Sequence, residues 1–328
     1  MLKYAAVIGN FIILSIIVVA VSLFWLAHEA NKPGNLAEEK ILYVKPGTSL
    51  RAISEQLLAE NVISNNLVFL IKAKIENRHS PLKAGEYSFE PKIRIKEVID
   101  KMQQGKNYQR SVTLPEGLTS TEIVTIINSN EFLAGDNVVS IPYEGSLLPE
   151  TYNFTLGDTK QEIVNRMQKA MTETIDKLWE ERSDDLSVKD KNEAIILASI
   201  VEKETAVKEE RPRVAGVFMN RLDRGIPLQT DPTVIYALTM GKEKLARGLT
   251  LKDLKKPSPY NTYTVKGLPP TPIANPGKES IAAVLNPEYN SYIYFVADGN
   301  GGHVFAEKLE EHNKNVRKWR KLKNNPKE

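Results

Sequence analysis

Between residues 195 and 205 the chain reads Ile195-Ile196-Leu197-Ala198-Ser199-Ile200-Val201-Glu202-Lys203-Glu204-Thr205, an almost wholly apolar run that ends on two carboxylates. With its flanks it predicts a buried helix over Lys191–Val207. Ile196, Ile200 and Glu204 fall at i, i+4 and i+8, so one buried stripe finishes on the Glu204 carboxyl. A carboxyl held against apolar side chains loses hydration, which disfavours its charged form and raises its pKa. Such a group stays protonated near neutral pH and can donate to a leaving oxygen. Glu202 projects about 160° away on an ideal helix, so a close dyad is not expected. The pattern also allows a plainer reading, in which both glutamates are solvated charges closing a core helix.

Moving outward, Gln161–Trp179 has the spacing of a long amphipathic helix, and Val214–Leu222 and Pro232–Leu238 continue helically. Residues 257–277 form a Pro-, Tyr- and Asn-rich loop, too long and aromatic for a simple connector. Tyr292–Val296 reads as a buried strand, turned by Asp298-Gly299-Asn300-Gly301-Gly302 into Val304-Phe305. A basic amphipathic helix follows over about Leu309–Leu322. Gln229-Thr230-Asp231 and Tyr260-Asn261-Thr262-Tyr263 combine amides, hydroxyls and aromatic rings. Such groups hold sugars, although each segment alone is ordinary turn chemistry.

The first third is built differently. Ile41–Val44 predicts a strand, Pro46–Ser49 a turn with a helix cap, and Leu50, Ile53, Leu57 and Leu58 a helix. A helix over Asn66–Ile75, a strand at Gly85–Phe89 and a helix over Ile95–Met102 closed by Gly105 complete it. Val112–Thr119, followed by Ile123, Ile126 and Ile127, echoes residues 42–58; duplication and chance fit equally well. Ahead of all this, Tyr4–Ala27 lacks Asp, Glu, Lys and Arg. As a helix it rises about 36 Å, enough to cross a bilayer. No small-residue cleavage site follows at Leu26–Ala30, which favours a retained anchor over a removed signal. Lys3 precedes the span and points to a cytoplasmic N-terminus. A polar tether, about His28–Lys40, leads to the rest.

Composition narrows the classes of function. A net charge of +3 in 328 residues, with no Gly-rich phosphate loop, gives no reason to expect nucleic acid or nucleotide. There is no cysteine, and none of the four histidines forms an HExxH-type pair, so neither a metal nor another cofactor is expected.

Two resemblances then give the pattern a name. The β-α-α-β order of the first third resembles a LysM module, a small carbohydrate-binding unit. Glu144-Gly145 with Pro149-Glu150-Thr151-Tyr152, Ala198–Thr205, Phe218 with Asn220-Arg221-Leu222, and Leu228–Tyr236 occur in the order found in one family. Tyr260–Tyr263, Gly267–Pro270, Ile273–Gly277, Tyr294–Ala297 and His312-Asn313 follow in that same order. By these motifs the chain resembles the MltG-type, YceG-like endolytic murein transglycosylases. Ser146-Leu147-Leu148 departs from the aromatic-rich version of some members, which bears on one wall of the groove.

The resemblance implies an α+β fold in three parts: a transmembrane anchor (1–30), a tether with a LysM-like subdomain (31–110) and a mixed α/β catalytic domain (111–328). It implies cleavage of the β-1,4 bond between N-acetylmuramic acid and N-acetylglucosamine to leave 1,6-anhydro ends, with Glu204 catalytic. Gln229, Asp231, Tyr260, Asn261, Tyr263, Glu150 and Asn313 are the substrate-binding candidates, and the oxocarbenium-like state is open to help from the substrate's own amide, from Glu150 or from Asp231. The implied partners are peptidoglycan strands and penicillin-binding synthases, at the inner membrane. The competing expectation is a non-catalytic, membrane-tethered LysM-like adaptor.

Overall fold

The apolar N-terminal run forms α1 (Leu2–Ala30), a helix long and apolar enough to cross a membrane by length and composition. Its flank side chains are exposed, Phe11 and Phe24 among them, whereas Leu26 and Ala30 at its end join a packed core. The structure, a computed structural model, describes residues 2–76 and 80–324; His79 lies outside them, as does the Lys3 side chain. It is a mixed α+β protein, and it divides into two compact units.

The first unit takes Met1–Arg110 with Asn153–Leu156. After α1 come β1 (Lys40–Val44), α2 (Leu50–Ala59), α3 (Asn66–Glu76), β2 (Gly85–Phe89) and α4 (Ile95–Gln104). β1 and β2 pair antiparallel, Lys40 opposite Phe89 and Val44 opposite Gly85. The predicted helix spacing delivers Leu57, Val68, Phe69, Val98, Ile99 and Met102 to one core with Tyr87 and Phe89, all fully buried. Each such side chain contributes about 1.5–3 kcal/mol by leaving water.

The second unit takes Ser111–Tyr152 and Gly157–Glu328. β3 (Arg110–Thr113) and β4 (Thr151–Phe154) have residues in both units, and the second unit adds α5 (Ser120–Asn128), α6 (Lys160–Glu180) and α7 (Lys191–Glu204). α8 (Arg211–Asp223), α9 (Asp231–Thr239), α10 (Leu251–Leu254) and α11 (Lys278–Leu285) follow. The hairpin β5 (Tyr294–Ala297) with β6 (His303–Ala306) and the helix α12 (Leu309–Asn324) complete it.

α7 is the axis of this unit. Asp190 caps it by accepting from the Glu193 amide at 2.8 Å. Its Leu197, Ala198, Ile200 and Val201 are fully buried among α6, α8 and α11. The helix stops at Glu204, short of the expected Val207, because Thr205 turns to extended backbone and its hydroxyl accepts from the Val207 amide at 3.1 Å. A local side-chain bond here competes with one more helical turn.

A strand–turn–helix unit recurs more often than the sequence disclosed. Gly47, Gly117 and Gly157, with φ of 82°, 76° and 110°, each stand two residues before the caps Ser49, Thr119 and Thr159. Positive φ suits glycine, which lets the chain double back from strand into helix. Before α4 the same place is held by Lys92, at φ 60°.

Candidate active site

Glu204 stands at the last residue of α7, where the buried stripe meets a cavity of about 530 Å³. It keeps a small opening to that cavity but is otherwise densely surrounded by protein. Burial, reinforced by the negative charge of Asp231, raises its pKa to about 7. Arg221 and the Thr230 hydroxyl pull the other way, the latter without reaching hydrogen-bonding geometry. Near neutral pH the carboxyl is therefore divided between its acid and base forms.

Glu202 has a separate role. Its side chain is 5% exposed and accepts from Arg211 Nη2 at 3.0 Å and from the Gly277 amide at 2.9 Å. Arg211 also reaches Glu116 at 3.0 Å and Glu279 at 3.2 Å. Neither glutamate is thus a solvated surface charge: one pins the end of α7 to the start of α11, the other opens on the cavity.

The turn into α9 supplies the facing wall. Gln229 adopts φ 52°, a left-handed conformation that is uncommon for a residue with a side chain. Its amide donates to the Thr262 carbonyl at 3.1 Å, and the Thr230 amide donates to Thr262 Oγ1 at 3.0 Å. Thr262 and Thr233 share a buried hydroxyl contact at 2.8 Å. The loop carrying Tyr263 is therefore fastened to α9, and the Tyr263 hydroxyl donates to Asp231 Oδ1 at 2.8 Å. Burial and Asp231 together raise the Tyr263 pKa, so the ring stays a neutral donor.

Gln229, Asp231, Tyr263 and Asn313 line the cavity with Glu204. Tyr260, Asn261 and Glu150 do not. Asn261 is 1% exposed, and its amide donates to the carbonyls of Leu254 at 3.1 Å and Lys256 at 2.8 Å. Tyr260 packs on Tyr236 and shares a hydroxyl contact with Thr271 at 2.9 Å. These two build the loop and leave the cavity to Tyr263. Glu150 is exposed just before β4, where its carbonyl accepts from the Leu114 amide at 3.1 Å.

Arg221, Tyr294 and His312 also line the cavity, although sequence reasoning did not single them out as site residues. Arg221 is 8% exposed and donates to the carbonyls of Ile293 and Leu228, both at 2.7 Å, tying β5 to the α8–α9 connection. Its guanidinium lies 5.5 Å from the Tyr294 ring, on which His312 stacks with centroids 5.0 Å apart. Burial first, then Arg221, lowers the His312 pKa, and its Nδ1 has no hydrogen-bond partner. An arginine in the apolar face of a predicted helix was the available signal for Arg221. β5 is half-buried along its length, where a buried strand was expected, because one face opens on this cavity.

A protonatable carboxyl at the wall of a polar, aromatic-lined cavity is the arrangement of a general acid acting on a hydroxyl-rich substrate. The sequence matches the YceG-like family over residues 42–318. A Bacillus subtilis (strain 168) protein named endolytic murein transglycosylase is 33% identical over 313 residues, covering 86% of this chain and 85% of that protein. A Streptococcus pneumoniae (serotype 2) protein of the same name is 28% identical over 321 residues, covering 83% of this chain and 57% of that longer protein. A crystal structure of a yceG-like protein from Listeria monocytogenes aligns with a TM-score of 0.52 at 32% identity, covering 85% of this chain and 99% of that one. The chain belongs to the YceG-like family.

Proposed function

We propose that this protein is an endolytic murein transglycosylase that cuts the bond between N-acetylmuramic acid and N-acetylglucosamine within peptidoglycan strands, as the names of its relatives indicate. The observation that carries the mechanism is Glu204, a cavity carboxyl raised to about 7. Protonated, it gives its proton to the glycosidic oxygen as the bond to C1 breaks. As carboxylate, it then takes the proton of the muramyl C6 hydroxyl, whose oxygen closes on C1 to leave a 1,6-anhydro end. No water is consumed, and the carboxyl ends protonated. Asp231, held by Tyr263, is the nearby negative charge suited to the oxocarbenium-like state, and Gln229 and Asn313 offer amides to the sugar hydroxyls.

In the same reading, α1 is a retained anchor with Lys3 on the cytoplasmic side and the remainder facing the wall, close to where new strands emerge. Residues 31–110 act as a LysM-like unit that guides the strand to the catalytic part, 111–328. Its β-α-α-β order with antiparallel β1 and β2 supports this. Penicillin-binding synthases are the expected neighbours, as the source of uncut strands.

The test is product analysis of glycan strands by mass spectrometry. The wild type should yield anhydro-muramyl ends, and Glu204→Gln should lower the rate by about 10²–10⁴-fold, the usual worth of a general acid. Because Asp231 is a second carboxylate in the cavity, hydrolysis with two carboxyl groups is the competing chemistry. Reducing ends, heavier by one water, would establish it; intact strands would favour the adaptor.

A further inference from the structure

A second cavity, of about 300 Å³, opens beside the catalytic one. Both are built on the same two elements. At the end of α7, Lys203 lines the second cavity and Glu204 the first; at the start of α9, Pro232 lines the second and Asp231 the first. Consecutive helical residues diverge by about 100°, so the first turn of α9 is a partition with a cavity on each side. We infer that the second cavity holds the peptide stem carried by the muramyl ring, an inference that rests on the transglycosylase reading.

The substrate's covalent structure supplies the first reason. The stem leaves the 3-position of the very ring whose C1 reacts, so it emerges within one sugar's width of Glu204. The second cavity has Lys203, the residue before Glu204, in its own wall. The second reason is chemical. Ile235 and Tyr236 give the cavity an apolar floor, suited to alanyl methyl groups. Its rim is of mixed charge, with Lys203 and Lys244 as cations and Glu122 and Glu243 as carboxylates. A stem of alternating chirality with free carboxylates and one amine is the complementary short peptide. Lys203 Nζ donates to the Gly117 carbonyl at 3.0 Å, and neither lysine is paired with a carboxylate among the described residues. Arg247, also on the rim, is already matched by Asp253 at 2.6 Å, so the lysines are the cations available to a ligand.

The experiment uses the full chain in detergent micelles. Uncrosslinked strands bearing stems are compared with the same strands stripped by an amidase. The wild type should show a KM about tenfold lower for stem-bearing strands, the worth of one or two charge-assisted contacts. Lys203→Gln with Lys244→Gln should bring that ratio to about one and leave stripped strands cut as before. Lys244→Gln alone, at an exposed side chain, must lower the ratio in the same direction whatever the double variant does to the Gly117 turn. Calorimetry with a muramyl tetrapeptide gives a readout independent of cleavage, with binding about tenfold weaker in Lys244→Gln. Equal KM values in the wild type, equal losses on both substrates, or tetrapeptide binding indifferent to Lys244 overturns the assignment. Tetrapeptide binding that depends on Lys244, with no strand cut, would keep the cavity and sink the transglycosylase reading instead.

Discussion

Glu202 Oε1 and Arg211 Nη2 meet at 3.0 Å with both side chains 5% exposed, while Glu204, two residues on, faces the cavity of about 530 Å³. The two acids of one helix end are thereby divided between an ion pair and a cavity wall. Arg211→Ala leaves Glu202 without its cation, and removing one partner of a buried pair costs about 3–5 kcal/mol. Thermal unfolding should show that loss as a lower Tm. Glu202→Gln keeps the hydrogen-bonding shape and should retain most activity, in contrast with Glu204→Gln; an equal loss in both would return Glu202 to the reaction.

Glu204 also ties stability to pH. Its pKa rises from 4.5 to about 7 on folding, chiefly by burial, so the folded state holds the proton more tightly than the unfolded chain. Stability is then highest below the unfolded value and declines as pH rises through the folded one, by up to roughly 3 kcal/mol for such a shift. Glu204→Gln never ionises. Its Tm should exceed that of the wild type at pH 8, and the gap should close near pH 4. Glu144, half-buried and likewise raised to about 7 by loss of hydration, adds a decline of the same sign in both proteins and does not alter their difference.

Asp231 bears on where activity fails, second to burial. The acid step needs protonated Glu204, so the rate should fall as pH climbs past about 7. The Asp231 charge helps to hold that pKa up, second to burial. Asp231→Asn should move the alkaline limb of the rate profile to lower pH, and a limb that stays in place would show that burial alone sets it.

Asn261 makes a contrasting case. Its amide serves backbone carbonyls at Leu254 and Lys256, away from the cavity. Asn261→Ala should destabilise the protein by about 1–3 kcal/mol, the cost of leaving buried acceptors unsatisfied. KM measured well below the new Tm should stay near the wild-type value, whereas Tyr263→Phe should disturb kinetics more than Tm.

Much of this was legible in the chain. The helical stripe of Ile196, Ile200 and Glu204 is local, so periodicity placed that carboxyl at the end of a buried helix face. The helices over 66–75, 161–179 and 309–322 and the strand at 85–89 lie where their patterns put them, within a residue or two. α11 went unforeseen because its eight residues follow a long Pro-rich loop and carry no side-chain cap. The division of Tyr260, Asn261 and Tyr263 into scaffold and wall was also hidden. Their residue types equip all three for sugar, and only the partners at 253–256, 271 and 231 separate them. Arg221 and His312 meet around Tyr294 through contacts that span some 90 positions of sequence, which no local pattern records.

The β5–β6 hairpin and α12 furnish one wall of the cavity that Glu204 lines, and His303 clips the hairpin to Glu210 at 2.7 Å. A ribosome makes that wall long after it has made Glu204. Any product broken off before Tyr294 therefore carries the membrane-length helix and the acid without the surface that would present a strand to it. In such a product the Glu204 carboxyl would stand beside an open face in place of the hairpin wall.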